Sequence, residues 1–121
     1  MEEEKSFEKL KSVLSSLSEG LEVKKDQPDH YYLNTNKRVK AKEMFFGAVQ
    51  IRKSYVAYHL YPVYMDPDLL DGISESLKKR MQGKSCFNFK QDIAEDQLDE
   101  LKALTKASYD KFLEHGYIDN E

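Results

Sequence analysis

The sequence predicts an α+β protein in which an antiparallel β-sheet carries the N- and C-terminal helices on one face, as a two-layer sandwich. Apolar residues recur every three or four positions at both ends of the chain, and aromatic-rich segments with period-two alternation lie between them. Only Lys53-Ser54 separates two long apolar segments, which predicts an antiparallel hairpin. Since a chain of 121 residues closes one hydrophobic core, we expect a single domain over residues 1–121.

Amphipathic helices are predicted at both ends of the chain. An apolar stripe that starts at Phe7 indicates a first helix over about residues 4–19. Asp92 and Glu95 have the spacing of a capping box, which favours the start of a helix. The apolar stripe that follows predicts a terminal helix that stops near Gly116.

Five segments between these helices have the pattern of half-buried strands, because alternation is combined with β-branched and aromatic residues. They are Leu21–Lys24, Tyr31–Leu33, Met44–Arg52, Tyr55–Tyr64 and Cys86–Phe89. Two short helical segments are expected before the last strand, one with Pro67 in its first turn and one capped by Ser74. The predicted order is therefore α-β-β-β-β-α-β-α.

Composition favours a soluble cytoplasmic protein. No apolar segment approaches the roughly 20 residues that span a bilayer, so no membrane partner is expected. The acidic opening Met1–Glu4 is the opposite of a signal-peptide start. The single cysteine, Cys86, cannot form an internal disulfide, which fits a reducing compartment.

Charge is unevenly distributed along the chain, although the net charge is only −3. Both ends are acidic, whereas residues 37–90 contain 11 basic and 5 acidic residues. Tyr31, Tyr32 and Tyr64 could offer stacking surfaces to single-stranded nucleic acid, but a pI near 5.7 argues against nucleic-acid binding. The basic residues that we expect to converge on one surface are Lys37, Arg38, Lys78, Lys79 and Lys84.

Two acidic groups are candidate metal ligands. Asp26, Asp29 and His30 offer oxygen and nitrogen ligands around Pro28, although aspartates beside a proline are also ordinary turn formers. A second cluster at the start of the first helix would bind hard cations weakly or simply complement the helix dipole. Its members are Glu2, Glu3, Glu4 and Glu8.

His59 and Cys86 are the candidate base and nucleophile. Cys86 lies in an apolar strand rather than at a helix N-terminus, which favours a small buried core residue over an activated thiol. His59, between Tyr58 and Leu60, is more typical of a sheet residue bonded to a neighbour. We therefore expect a non-enzymatic protein, and a small enzyme using His59 or Cys86 is the alternative.

Three stretches resemble the YdhG-like domains, a family whose members mostly have no assigned function. Lys24-Lys25-Asp26-Gln27-Pro28 resembles a lysine-x-x-Gln/Met-Pro element of that family. The segment from Phe46-Gly47 to Lys53-Ser54-Tyr55-Val56 resembles its glycine-containing hairpin with a lysine at the turn, and residues 84–89 resemble its late basic-to-apolar strand. The chain differs from the family pattern at Lys25, where an aromatic residue is expected, and at Tyr55, where histidine is frequent.

The resemblance implies a frataxin-like fold and a protein that binds a small ligand or a protein partner through the exposed sheet face or an edge groove. One member is described as an iron chaperone, and frataxins bind iron through acidic residues of the first helix and the sheet edge. Iron binding by the acidic residues named above, with Asp26 and Asp29, is therefore an alternative. An uncovered aromatic sheet face would also favour a homodimer. The candidate ligand-binding residues are Lys24, Gln27, Pro28, Lys53, Tyr55, His59 and Lys84.

Overall fold

A five-stranded antiparallel sheet, with its strands in chain order, forms one layer of the protein. The computed structural model describes residues 2–17, 21–39, 42–90 and 93–118, with the side chains of these residues except 2, 3, 37–39, 42 and 43. The strands are β1 (Leu21–Gln27), β2 (His30–Val39), β3 (Lys42–Ile51), β4 (Val56–Leu60) and β5 (Cys86–Phe89). The predicted α+β fold and the predicted hairpin at Lys53-Ser54 are confirmed, and β1 and β2 extend further than the sequence pattern indicated.

The helices form the second layer and the connections. They are α1 (Glu2–Ser15), α2 (Tyr61–Met65), a 3₁₀ helix (Pro67–Leu70), α3 (Glu75–Lys78) and α4 (Glu95–Glu114). Ser74 caps α3 as predicted, because its hydroxyl accepts a hydrogen bond from the Leu77 N–H at 3.2 Å. No helix among the described residues is long and apolar enough to cross a membrane.

The first helix ends earlier than predicted, at Ser15. Ser12 Oγ donates to a backbone carbonyl one turn earlier at 2.6 Å, and Ser16 Oγ does the same at 2.7 Å. Such local side-chain bonds compete with the helical ladder and weaken the end of a helix. The predicted last residues, 18 and 19, lie outside the described part of the chain.

The prediction of a strand over Tyr61–Tyr64 is wrong, because β4 ends at Leu60 and these residues form most of α2. Pro62 lies in the first turn of α2. Proline lacks the N–H that a central strand donates, whereas the first turn of a helix leaves that N–H unbonded in any case. The chain therefore leaves the sheet at this point.

The capping box predicted from Asp92 and Glu95 is also wrong, since the N-cap residue of α4 is Ala94, and Asp92 itself lies outside the described residues. The Ala94 N–H donates to Gln97 Oε1 at 3.4 Å, and the Gln97 N–H donates to Asp96 Oδ1 at 2.9 Å. Two side chains of the first helical turn thus satisfy backbone N–H donors at the start of α4. The helix stops where predicted, ahead of Gly116, which has a positive φ of 81°.

Helices α1 and α4 cover one face of the sheet and enclose the core. Tyr58 of β4 is fully buried, and its hydroxyl lies 2.6 Å from the Thr105 hydroxyl of α4. On β3, Gly47 lets α1 approach closely, because a Cβ there would lie 3.2 Å from Leu14 Cδ2 and 3.0 Å from the His59 carbonyl oxygen. No helix among the described residues covers the opposite face of the sheet, which we call the open face.

Candidate ligand site on the open face of the sheet

Strand register arranges the open face as two rows of side chains across all five strands. One row contains Gln27, His30, Gln50, Ala57 and Asn88, which are cross-strand neighbours in that order. The second row runs parallel to it and contains Lys25, Tyr32, Ala48, His59 and Cys86. The pleat directs alternate residues of each strand to this face and the residues between them to the helical side of the sheet.

Two adjoining depressions lie in this face. Their floors are formed by Ala48 and Ala57, whose small side chains leave space between longer neighbours. The polar depression, of about 280 Å³, is lined by Gln50, Arg52, Tyr55, Ala57, His59, Gln82, Cys86 and Asn88. The aromatic depression, of about 250 Å³, is lined by His30, Tyr32, Phe45, Ala48, Gln50 and His59. Gln50 and His59 line both depressions and therefore form the boundary between them.

Arg52 supplies the positive charge of the polar depression. It is exposed at the end of β3, where its Nη1 donates to Gln50 Oε1 at 3.3 Å. Among the described residues it forms no ion pair with a carboxylate. A guanidinium oriented by a neutral amide retains donors that can bind an anion.

His59 and Cys86 face each other across β4 and β5. His59 Nε2 lies 3.5 Å from Cys86 Sγ, and the thiol donates to Asn88 Oδ1 at 3.3 Å. Both side chains are partly exposed in the polar depression, so the prediction of Cys86 as a small buried core residue is wrong. The prediction of His59 as a sheet residue bonded to a neighbour is confirmed.

Burial keeps this pair in its neutral form. It lowers the pKa of His59, and the nearby charges of Arg52 and His30 lower that pKa further. Burial also raises the pKa of the Cys86 thiol, and the charge of Arg52 opposes this only in part. The pKa of His30 is lowered in the same way by burial and by Lys25 and Arg52, against the smaller opposing effect of Asp29. Two neutral imidazoles and a thiol therefore line the face near pH 7.

His59 is expected to titrate below its ordinary pKa of about 6.5. The unfolded chain then binds more protons than the native protein, so the unfolding free energy should fall as pH decreases from about 6.5 through the native pKa. Imidazole NMR signals and urea unfolding at a series of pH values measure the two effects. His59→Gln should remove this part of the pH dependence, whereas His115→Gln, at the end of α4, should retain it. A native pKa of His59 at or above 6.5 would contradict the prediction.

The candidate ligand-binding residues predicted from the sequence do not form one site. Lys24 is exposed on β1, 3.5 Å from a Glu22 carboxylate oxygen, and Gln27 lies at the end of the same strand. Pro28 lies in the β1–β2 turn and Lys53 in the exposed β3–β4 turn. Only Tyr55 and His59 line the polar depression, and Gln27 is the cross-strand partner of His30, which lines the aromatic depression.

The acidic metal candidates are also only partly brought together. Glu4 and Glu8 of α1 line a depression of about 480 Å³ with Asp29 and Pro28. Asp26 forms an ion pair with Lys11 at 2.8 Å, which joins β1 to α1. The described residues contain no group of three or more His, Cys, Asp or Glu side chains that could hold a metal ion. The side chains of residues 2 and 3 are outside this description.

The predicted basic surface is described only in part, because the side chains of residues 37 and 38 lie outside the description. Lys78 pairs with Glu75 at 3.8 Å, and Lys84 Nζ lies 5.9 Å from the ring centroid of Tyr64.

The three tyrosines proposed as stacking surfaces for nucleic acid lie in different parts of the structure. Tyr31 is buried on the helical side, Tyr32 lies on the open face and Tyr64 is exposed on α2.

Several residues of the two depressions were not predicted from the sequence. Gln50 and Arg52 share the alternation of Ala48, a signal that could have identified them as polar positions of the exposed face. Phe45 could not have been found in this way. The β2–β3 register shifts between Leu33 and Asn34, so Phe46 is an extra residue and Phe45 turns to the open face.

Comparison of the chain with protein-family models, with curated proteins and with solved structures finds no match. The resemblance to YdhG-like domains consequently rests on its sequence motifs and stays a prediction.

Proposed function

We propose that this protein is a non-enzymatic binding domain that holds a small ligand on the open face of its sheet. The observation that carries the proposal is the pair of adjoining depressions, which lie over small alanine side chains and combine rings, amides and one arginine. Ligand sites are typically concave, with apolar walls and a few polar groups that orient the ligand. The free thiol of Cys86 at this face is compatible with the cytoplasmic location that we propose.

Backbone amide shifts of the ¹⁵N-labelled full chain test this proposal. The probes are acetate, benzoate, phenol, imidazole and inorganic phosphate, each added at millimolar concentration. We expect at least one probe to shift the amides around Ala48, Gln50, Ala57 and His59, and to leave the rest of the chain unchanged. Shifts that cluster at the Pro28 turn instead, or no shifts with any probe, would overturn the proposal.

A matched pair of substitutions separates binding in the depression from surface effects. Ala57→Leu adds bulk to the floor of the polar depression and should weaken probe binding there. Ala103→Leu makes the same chemical change at an exposed position of α4 and should leave binding unchanged. Equal affinities of the two variants for the probe would count against the depression as the site.

The same face would be buried if two copies of the chain associated through it. In that case the amides of Ala48, Gln50, Ala57 and His59 would shift or broaden with increasing protein concentration, in the absence of any probe. A monomer by sedimentation equilibrium at the concentration used for NMR favours the small ligand over the homodimer.

A small enzyme that uses Cys86 as nucleophile and His59 as base is the second candidate, favoured by the 3.5 Å distance between Sγ and Nε2. The raised pKa of the thiol and the lowered pKa of the imidazole make it the weaker one, because attack requires the thiolate. The rate of alkylation of Cys86 by iodoacetamide as a function of pH tests it. Rapid alkylation at pH 6 that is lost in His59→Gln would favour the enzyme.

A further inference from the structure

The sizes of the two depressions suit a ligand that spans both better than a ligand confined to one. Neither the polar depression, of about 280 Å³, nor the aromatic depression, of about 250 Å³, reaches the roughly 300 Å³ at which ligand pockets usually begin. Together they exceed that size. Because Gln50 and His59 line both, a ligand that spans them would contact the same two polar side chains at its middle.

The aromatic depression is suited to a flat ring. Four of its six lining residues carry rings, and Ala48 leaves its floor open. Tyr32 and Phe45 are stacked, with centroids 4.7 Å apart and planes inclined by 25°, and His30 meets the edge of Tyr32 at 6.0 Å. A planar group gains both apolar burial and ring–ring contacts in such surroundings, and a saturated ring gains only the burial.

The polar depression is suited to an anion. Arg52 is the charged side chain among its lining residues, and the amides of Gln50, Gln82 and Asn88 supply further donors. The Arg52 charge lies near His30, His59 and Cys86, since it acts on the pKa of all three. Asp29, which directly precedes His30 in the β1–β2 turn, carries a negative charge that raises the pKa of His30 and so opposes the effect of Arg52 there.

From this arrangement we infer that the ligand is a planar aromatic carboxylate or phosphate, with its ring in the aromatic depression and its anionic group on Arg52. The inference rests on the proposed function and adds the chemical class of the ligand. A carboxylate or phosphate oxygen would accept from the guanidinium, whose planar set of donors matches both groups. The His59 and Gln50 side chains would border the ligand at the point where its ring meets its anionic group.

Three matched probes test the inference by NMR titration of the labelled full chain. They are 2-naphthoate, its neutral amide 2-naphthamide, and decahydro-2-naphthoate, which keeps the charge but loses the flat ring. We expect 2-naphthoate to bind with a Kd about threefold to tenfold lower than either analogue. Larger factors are not expected, because Arg52 is exposed and water screens its charge. A parallel titration with 2-naphthyl phosphate shows which of the two anions is preferred.

Two pairs of variants locate the two ends of the probe. Arg52→Gln should raise the Kd for 2-naphthoate about threefold to tenfold and leave the Kd for 2-naphthamide unchanged, since only the former is charged. Lys53→Gln removes the neighbouring positive charge, which lies outside the depression, and should change the Kd of neither probe. Tyr32→Leu should raise the Kd for 2-naphthoate more than the Kd for decahydro-2-naphthoate. Tyr64→Leu, on α2, should change neither Kd. An unchanged amide spectrum away from each substitution shows that the variants remain folded.

The outcomes distinguish the inference from the proposed function. The inferred class of ligand is wrong if an analogue binds as tightly as 2-naphthoate and shifts the same amides. It is also wrong if Arg52→Gln and Lys53→Gln have the same effect on the Kd for 2-naphthoate. In both cases the proposed binding of a small ligand on the open face still stands. If 2-naphthoate shifts only amides outside the open face, the inference fails and the proposed function loses support with it.

Discussion

Replacing Phe112 by alanine should lower the free energy of unfolding by about 3–5 kcal/mol. Phe112 lies on α4 and is fully buried against the sheet. Its ring meets Phe46 of β3 with centroids 5.9 Å apart and Tyr117 with centroids 5.2 Å apart, both edge to face. Truncation would remove these contacts and leave a cavity between the two layers. Because small domains are stable by only about 5–15 kcal/mol, this loss should be evident in the urea midpoint.

The control for this change is Lys102→Ala in the same helix. Lys102 is exposed, so its truncation should alter the unfolding free energy by no more than about 0.5 kcal/mol. Urea unfolding followed by circular dichroism measures both variants. A loss below about 1 kcal/mol for Phe112→Ala would show that the helix is not packed on the sheet as described.

Replacing Thr105 by valine should lower the free energy of unfolding by about 1–3 kcal/mol, although valine has nearly the same shape as threonine. The Thr105 hydroxyl lies 2.6 Å from the Tyr58 hydroxyl, and both residues are fully buried. Burial raises the pKa of Tyr58 well above its usual 10, so its hydroxyl remains protonated and needs a partner. Valine would leave that hydroxyl buried without one.

A double-mutant cycle with Tyr58→Phe separates the hydrogen bond from packing. The combined variant Tyr58→Phe/Thr105→Val has no polar group left at this contact, so it should be more stable than the sum of the two single effects implies. The free energies of unfolding of the wild type, the two single variants and the double variant measure the coupling. Strictly additive effects would mean that the two hydroxyls do not interact.

The sequence alone determined the types of most elements, because these depend on local periodicity. The apolar stripe from Phe7 and the alternation around Lys53-Ser54 indicated the first helix and the central hairpin without knowledge of their neighbours. The strand predicted over Tyr61–Tyr64 is wrong, because the constraint that Pro62 places on the backbone outweighs the preference of aromatic residues for strands.

The candidate site was determined by tertiary structure. Cys86 meets His59 only because β5, 26 residues after the end of β4, returns to pair beside it, and nothing local to either residue specifies that pairing. Phe45 reaches the open face only because the β2–β3 ladder shifts register, which exchanges the faces of the residues beyond the shift. Local periodicity thus predicts which segments are helices or strands, whereas the pairing and register of strands distant in sequence decide which side chains share one face.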